Sequence, residues 1–395
     1  MVRTASIFSQ LLALFPRLQF EQLVRQYRAE RYAKGLTCWQ QCVAMLFCQL
    51  AQAHSLREIC GGLRCCLGKL VHLGIADAPK RSSLAYANSH RPWQLYEALF
   101  YQLLEKCRLL EPKGGHRLRF RNRLLSLDST VIELCLSLFP WAQFTRTKGA
   151  VKLHCLLDHQ GYFPVFALVT GTDLGDVAVA RMLTLPAGSV IVLDRAYNDY
   201  ALWARWMAEG VFFVTRLIRS ADYEVLEERP LPQRGQIQAD QLIRLRSEHA
   251  HQQGCTGILR RVVLWLPEQR QAMVFVTNHL QFGPTTIARI YKDRWQIELF
   301  FRALKQHLRI KTFVGTTPNA LQIQIWTALI ALLLLKYLQF RSRLGWSLSN
   351  LIALLHWNLF TYRDLWQWID DPYHAPPESP PPVQLGLFGL GQQQA

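Results

Sequence analysis

Hydrophobic positions recur every three to four residues through the first quarter of the chain and shift to a strand-like period near residue 124. Over residues 6–110 the pattern is helical with little strand character. The spacing predicts one helix over 38–53 and another beginning at Ser55, where Ser55, Leu56, Arg57 and Glu58 fit a capping box. The pair Gly61-Gly62, and then Gly68, interrupt the helical pattern. Pro79 to Asn88 (PKRSSLAYAN) predicts a short, capped, basic helix after a turn, suited equally to reading DNA or to an ordinary surface. Pro112-Lys113-Gly114-Gly115 reads as a hinge. After it, residues 116–123 alternate Arg and His with other residues, as a solvated edge would.

From residue 124 the chain reads as strands. Residues 124–134 are rich in Leu, Val and Ile around Asp128, and residues 151–157 and 162–170 follow, joined by the turn Asp158-His159-Gln160-Gly161. Together they predict a three-stranded antiparallel meander. Next come a helix near 176–183, an apolar strand at 190–193 running into Asp194, a helix over 199–209 and a strand over 211–215. Three antiparallel strands and then alternating helices and strands describe a ribonuclease H-like α/β layer. Between 216 and 271 the candidates are strands at 223–226, 236–245 and 260–266 with charged turns, which predicts a β-rich insertion. A strand at 272–277 and a long helix over 285–308 complete the layer. The apolar run 325–335 ends at Lys336, is too short to span a bilayer and reads as a buried core helix. Residues 372–395, with repeated Pro and Gly and a Gln run, are too poor in core-forming pattern to fold alone.

The expected division is a helical N-terminal domain over 1–112 and a catalytic core over 117–217 and 272–345. An insertion over 218–271 separates the two parts of the core, and 346–395 forms a C-terminal helix with a tail.

Charge sharpens this picture. In 395 residues, 45 Lys and Arg stand against 28 Asp and Glu, a formal net charge of +17. Such a surplus favours a polyanionic partner, nucleic acid ahead of an anionic membrane surface. Of ten cysteines most fall in the first third, within helical or apolar stretches, so reduced thiols are a simpler reading than a disulfide framework. None pairs with Cys or His at zinc spacing. The opening Met-Val-Arg-Thr carries no secretory pattern, so the expectation is a cytoplasmic protein without a membrane partner.

Asp128 is a carboxylate inside an apolar strand, and Asp194 ends another, where open α/β sheets place their ligands. Either alone is most simply an ion-paired or turn-capping Asp. Together on neighbouring strands they suit a hard cation with oxygen ligands. On the helix over 285–308, Tyr291, Arg294, Glu298 and Lys305 are spaced by three, four and seven, which puts all of them on one face. A solvent-facing stripe has the same period. Here Trp295, Ile297, Leu299, Phe300 and Phe301 make the helix largely buried, so the charged stripe should face a site. Asp158, Asp173, Asp176, Asp199 and Asp293 sit in turns or at helix starts and read as caps. His154, within a strand, reads as packed.

The segment YKDRWQIELFFRALK, Tyr291 to Lys305, carries Tyr-x2-Arg-x3-Glu-x6-Lys without departure, and in this it resembles the insertion-sequence type-four family of DDE transposases. LDST around Asp128, VLDRAY around Asp194 and FVTR at Phe213 to Arg216 are similar to the same family, and the resemblance covers about 119–338. The helical N-terminal portion is similar to that of a subset of the family. The resemblance implies metal-dependent DNA cleavage and strand transfer with Asp128, Asp194 and Glu298 as catalytic and metal-binding residues. Asp128 would bridge two Mg²⁺ ions, with Mn²⁺ as an alternative, while Asp194 and Glu298 hold one each. It implies that Tyr291, Arg294 and Lys305 grip the phosphate backbone near the cut, with Arg216, Arg302 and Arg81 as further DNA contacts. The implied partners are double-stranded transposon ends and target DNA, met by a homodimer in a synaptic complex. Some relatives stack an aromatic residue on a flipped base to form a DNA hairpin. Met273, Phe275 and Trp265 match that feature poorly, so the resemblance does not extend to a hairpin. Two alternatives share these residues: a nuclease of the same fold that cuts without rejoining, and an inactive copy that still binds DNA.

Overall fold

Caps and buried stripes define the first six helices: α1 (Ile7–Ala13), α2 (Arg17–Gln26), α3 (Cys38–Leu50), α4 (Leu56–Arg64), α5 (Arg81–His90) and α6 (Gln94–Leu109). They belong to a computed structural model that describes residues 5–373 apart from 32, 34, 67, 110–119, 144, 146–147 and 311. The expected hinge at 112–115, the basic residues 116–119 and the tail from 374 lie outside the described residues. A full capping box starts α3, with the Thr37 hydroxyl accepting from the Gln40 amide and the Gln40 side chain accepting from the Thr37 amide. At α4 the Ser55 hydroxyl caps as expected, but the Glu58 carboxylate reaches one residue further back, to the His54 amide. Gly61 and Gly62 do not break α4. A Cβ on Gly62 would stand 2.8 Å from the Phe47 ring, so close helix packing accounts for that glycine. Helix α5 begins on Lys80 with no side-chain cap.

The strands are β1 (Leu124–Leu134), β2 (Gly149–Asp158), β3 (Phe163–Thr170), β4 (Val190–Leu193), β5 (Phe212–Arg216), β6 (Tyr223–Glu228), β7 (Ile237–Leu245), β8 (Leu259–Leu266) and β9 (Gln271–Thr277). They form one sheet in the order β3-β2-β1-β4-β5-β9-β8-β7-β6. Strands β1 to β3 make the antiparallel meander, β4 and β5 join parallel to β1, and β9 returns antiparallel to β5. The β-rich segment is therefore no separate layer. Its strands β6, β7 and β8 extend the same sheet beyond β9, because an unpaired edge is a ready template for more strands. Within that extension Arg260 is buried and forks onto Asp240, with both bonds under 2.8 Å, while its remaining donors reach the carbonyls of Leu280 and Phe282.

Helices α7 (Asp176–Met182) and α8 (Tyr200–Ala208) cover one face of the sheet, burying Trp203 and Trp206 against Phe213. On the opposite face come α10 (Pro284–Asp293) and α11 (Trp295–His307). Beyond them lie α12 (Pro318–Arg341), α13 (Leu348–Asn358) and α14 (Leu365–Asp370); a short α9 (Glu248–Gln252) links β7 to β8. The first helices share one core with α11 to α14 and with the inner face of β1 to β3, including Ile132, Leu153, Cys155 and Leu157. At the centre of that core α12 buries its apolar run, as expected for 325–335. Helix α12 is long and apolar enough by length and composition to cross a membrane, but 83% of its most apolar window is buried inside the protein. The polar residue Gln324 is also buried, because its amide accepts from the Val314 amide and donates to the carbonyls of Arg309 and Thr312. Cys65 and Cys135 are exposed and the other eight cysteines are buried; all ten are free thiols.

Candidate active site

Strand register brings the first elements of the site together. Leu127 pairs with Leu193 across the parallel β1–β4 ladder, so the next residues, Asp128 and Asp194, stand on neighbouring strands about 4.8 Å apart. The β4–β5 register, Val192 to Val214, continues the same row to Arg216. Arg216 in turn pairs with Phe275 of β9, whose ring packs on Tyr291 at 4.9 Å. One row across the sheet thus carries Asp128, Asp194 and Arg216.

The third carboxylate arrives on a helix that is not continuous. The expected helix over 285–308 is split into α10 (Pro284–Asp293) and α11 (Trp295–His307). The amide of Arg294 bonds to the Tyr291 carbonyl and that of Ile297 to the Arg294 carbonyl, three-residue spacings that tighten the turn there. That tight turn aims Arg294 at the sheet. Its guanidinium donates to Asp128 at 3.1 Å and to Glu298 at 2.7 Å. The Tyr291 hydroxyl donates to Asp194 at 3.3 Å. Lys305, two turns further on, donates to the Val131 carbonyl of β1 at 2.7 Å. All four residues of the helix stripe therefore face the carboxylate end of β1 and β4.

Burial raises the Asp128 carboxyl to about 6, with Asp194 and Glu298 adding to the shift while the Ser129 amide and Arg294 oppose it. Burial also raises the Tyr291 phenol. Among the described residues no three acidic, His or Cys side chains already stand in a metal-holding group, because the guanidinium of Arg294 lies between Asp128 and Glu298. The donor set nonetheless fits a hard divalent cation. It consists of three oxygen-only carboxylates from three elements, each partly open to solvent, and its negative charge is met here by a guanidinium.

Among the described residues none of the remaining site candidates bonds to the three carboxylates. Arg302 is exposed on α11, one turn beyond Glu298, and Arg216 lines a cavity with Arg195, Arg219 and Met273. Arg81 is exposed at the start of α5, a helix packed on α3, α4 and α12.

Among the aspartates read as caps, Asp199 caps α8 and pairs with Arg181. Asp176 does not cap. Its carboxylate takes the Ser129 hydroxyl at 2.8 Å and the Lys152 ammonium at 3.3 Å, and it lies 3.6 Å from His154 Nδ1. This cluster braces β1 from the face opposite Asp128, and the sequence reading missed it. The available signal was period two: Ser129 on β1 and Lys152 and His154 on β2 point to one face.

An antiparallel meander running into parallel strands, with one carboxylate within β1, one just after β4 and a third on a following helix, is a ribonuclease H-like layer. The transposase DDE domain family matches residues 119–334, and a domain of unknown function, DUF4372, matches residues 3–76. The chain is 28% identical over 310 residues to y4zB of Sinorhizobium fredii, a protein that bears the name transposase, covering 78% of this chain and 82% of that one. It is 29% identical over 252 residues to the transposase-named protein of insertion sequence element IS5377 from Geobacillus stearothermophilus, covering 62% of this chain and 64% of the other. A cryo-EM structure of the piggyBac transposase synaptic complex with hairpin DNA overlays at a TM-score of 0.40 and 9% identity, covering 94% of this chain and 81% of that chain, too remote to argue from. The chain belongs to the transposase DDE domain family and is a DNA transposase.

Proposed function

We propose that the protein moves an insertion sequence by cut-and-paste, cleaving phosphodiester bonds at the element's ends and joining the freed ends to target DNA. The convergence of Asp128, Asp194 and Glu298 on the stripe Tyr291, Arg294 and Lys305 carries this reading. Asp128, Asp194 and Glu298 would hold two Mg²⁺ ions, for which Mn²⁺ could substitute, and the ions would supply activation of the attacking oxygen and neutralisation of the leaving one.

The chain's own groups do the rest. Arg294 releases its carboxylates and turns its fork onto two oxygens of the scissile phosphate, a geometry that guanidinium matches and ammonium does not. Tyr291 steadies Asp194 through its hydroxyl. Lys305 acts as a point charge on the adjoining phosphate, and Arg216, Arg302 and Arg81 hold the duplex further out. In cleavage the oxygen of a water molecule bonds to phosphorus as the bond from phosphorus to the 3′ oxygen breaks, leaving a 5′ phosphate on one strand end and a 3′ hydroxyl on the other. That hydroxyl then attacks a target phosphodiester, so one bond forms as another breaks. A homodimer on paired double-stranded ends, acting in the cytoplasm on nucleoid DNA, suits a reaction that needs two ends at once.

The test is a cleavage and joining assay on labelled ends with Mg²⁺, beside a gel shift of the same proteins. Glu298→Gln keeps size and hydrogen bonding but loses charge; it should bind ends normally and lose nicking by orders of magnitude. Near wild-type nicking by that variant would show the third carboxylate to be misassigned. Cleavage without joined product would instead identify a nuclease.

A further inference from the structure

Lys336 ends the apolar run of α12, and from sequence it marks nothing more than that end. In the fold it reaches into a cavity of about 260 Å³ bounded by α11, the start of α13 and the turn between β2 and β3. Its ammonium has no hydrogen bond or ion pair among the described residues, and the Tyr162 ring centroid lies 5.7 Å away, within cation–π reach. Burial pushes the ammonium down to about 8. Even a partly desolvated cation without a partner carries a cost, and an anion entering the cavity would offset it.

The other polar groups of the lining fit the same ligand. Arg302, Gln296 and Gln306 come from α11, and His307 lies beside them with Nε2 at 3.1 Å from the Ser349 hydroxyl. Among the described residues no Asp or Glu lines the cavity. Tyr162 is held at φ +56°, a left-handed conformation that a non-glycine residue rarely adopts, so the turn sets where its ring sits. Arg302 follows Glu298 by four residues on α11, which places the cavity one helical turn from the catalytic carboxylate.

We propose that this cavity is a phosphate pocket that takes one backbone phosphodiester of the DNA strand running past the active site. Lys336 is its half-buried anchor, with Arg302 and His307 at the rim. The identity of the ligand as DNA rests on the transposase reading; the anion chemistry of the pocket does not.

The full chain and Lys336→Met, of similar length but uncharged, are compared in two experiments. In the first, binding to an end duplex is measured against salt. The variant should bind several-fold more weakly on every sequence, and its plot of log affinity against log salt should be shallower by about one. Lys336→Arg, which keeps the charge, should keep the slope. In the second, inorganic pyrophosphate without DNA should raise the melting temperature of the wild type and leave Lys336→Met unmoved, whose own melting temperature should be no lower. An unchanged slope together with no pyrophosphate effect overturns the pocket. A pyrophosphate effect with an unchanged slope overturns the DNA part and leaves a free-phosphate site. If the wild type binds no DNA and the pyrophosphate effect persists, the transposase reading fails and the anion pocket stands.

Discussion

Arg294 holds two carboxylates at once, and that double contact makes it the residue whose removal says most about the site. In Arg294→Ala, Asp128 and Glu298 face each other without a cation between them. The metal-free melting temperature should therefore fall, and Mg²⁺ should restore more of it than it adds to the wild type. Nicking should lose about 2–4 kcal/mol of transition-state stabilisation, the usual loss for one charged contact to a reacting phosphate. A variant as stable as the wild type without metal would mean that the bridge contributes nothing. His154 sets a different test. Burial holds its imidazole down to about 4, although Asp176 pulls the other way. The unfolded chain protonates this ring below about pH 6.5, whereas the folded protein keeps it neutral until about pH 4. Its contribution is thus complete above pH 6.5 and lost as the pH falls to 4. Melting temperatures across that window should decline less steeply in His154→Asn than in the wild type.

At the scale of elements, the sheet extension does more than lengthen the sheet. Arg260 ties β7 to β8 through Asp240 and binds the carbonyls of Leu280 and Phe282, in the loop that leads into α10. The pair therefore helps set where the Tyr291–Lys305 stripe begins. Asp240→Ala would leave a buried guanidinium unpaired and should cost about 3–5 kcal/mol in stability by chemical denaturation. Replacing both residues with apolar ones should cost much less. A small loss in the single variant would show that water or a neighbour already satisfies Arg260. Helix caps matter less: Thr37→Ala removes one arm of the α3 capping box and should cost about 1 kcal/mol.

At the scale of the whole molecule, a net charge of +17 predicts DNA binding that falls steeply with salt, because each phosphate contact releases condensed counterions. Arg81 lies on a helix packed into the shared core but far along the chain from the carboxylates. If α5 reads sequence, Arg81→Ala should weaken binding to terminal repeats more than to random duplex. Equal losses on both would make it a general phosphate contact.

Much of this was legible in the chain. Alternation in β1, the apolar run ending at Asp194 and the helical spacing of Tyr291, Arg294, Glu298 and Lys305 are local patterns, and local patterns specify which face of an element is buried. They sufficed for the ribonuclease H-like layer and for a pair of strand-borne aspartates with a helix stripe facing a site; the resemblance to a transposase family supplied the proposal that these residues cut DNA. Four features were decided only by tertiary structure. The β-rich segment joins the core sheet because an open edge on β9 accepts strands, which no residue pattern announces. The helix breaks at Arg294 because a tightened turn lets one guanidinium span Asp128 and Glu298. Asp176 braces Ser129 from across the sheet instead of capping its own helix, a contact between residues 47 apart in sequence. Lys336 looks like the polar end of an apolar helix until the packing of α11, α13 and a turn closes a cavity around it. Periodicity tells a side chain which way to face; only the packed chain determines what it meets there.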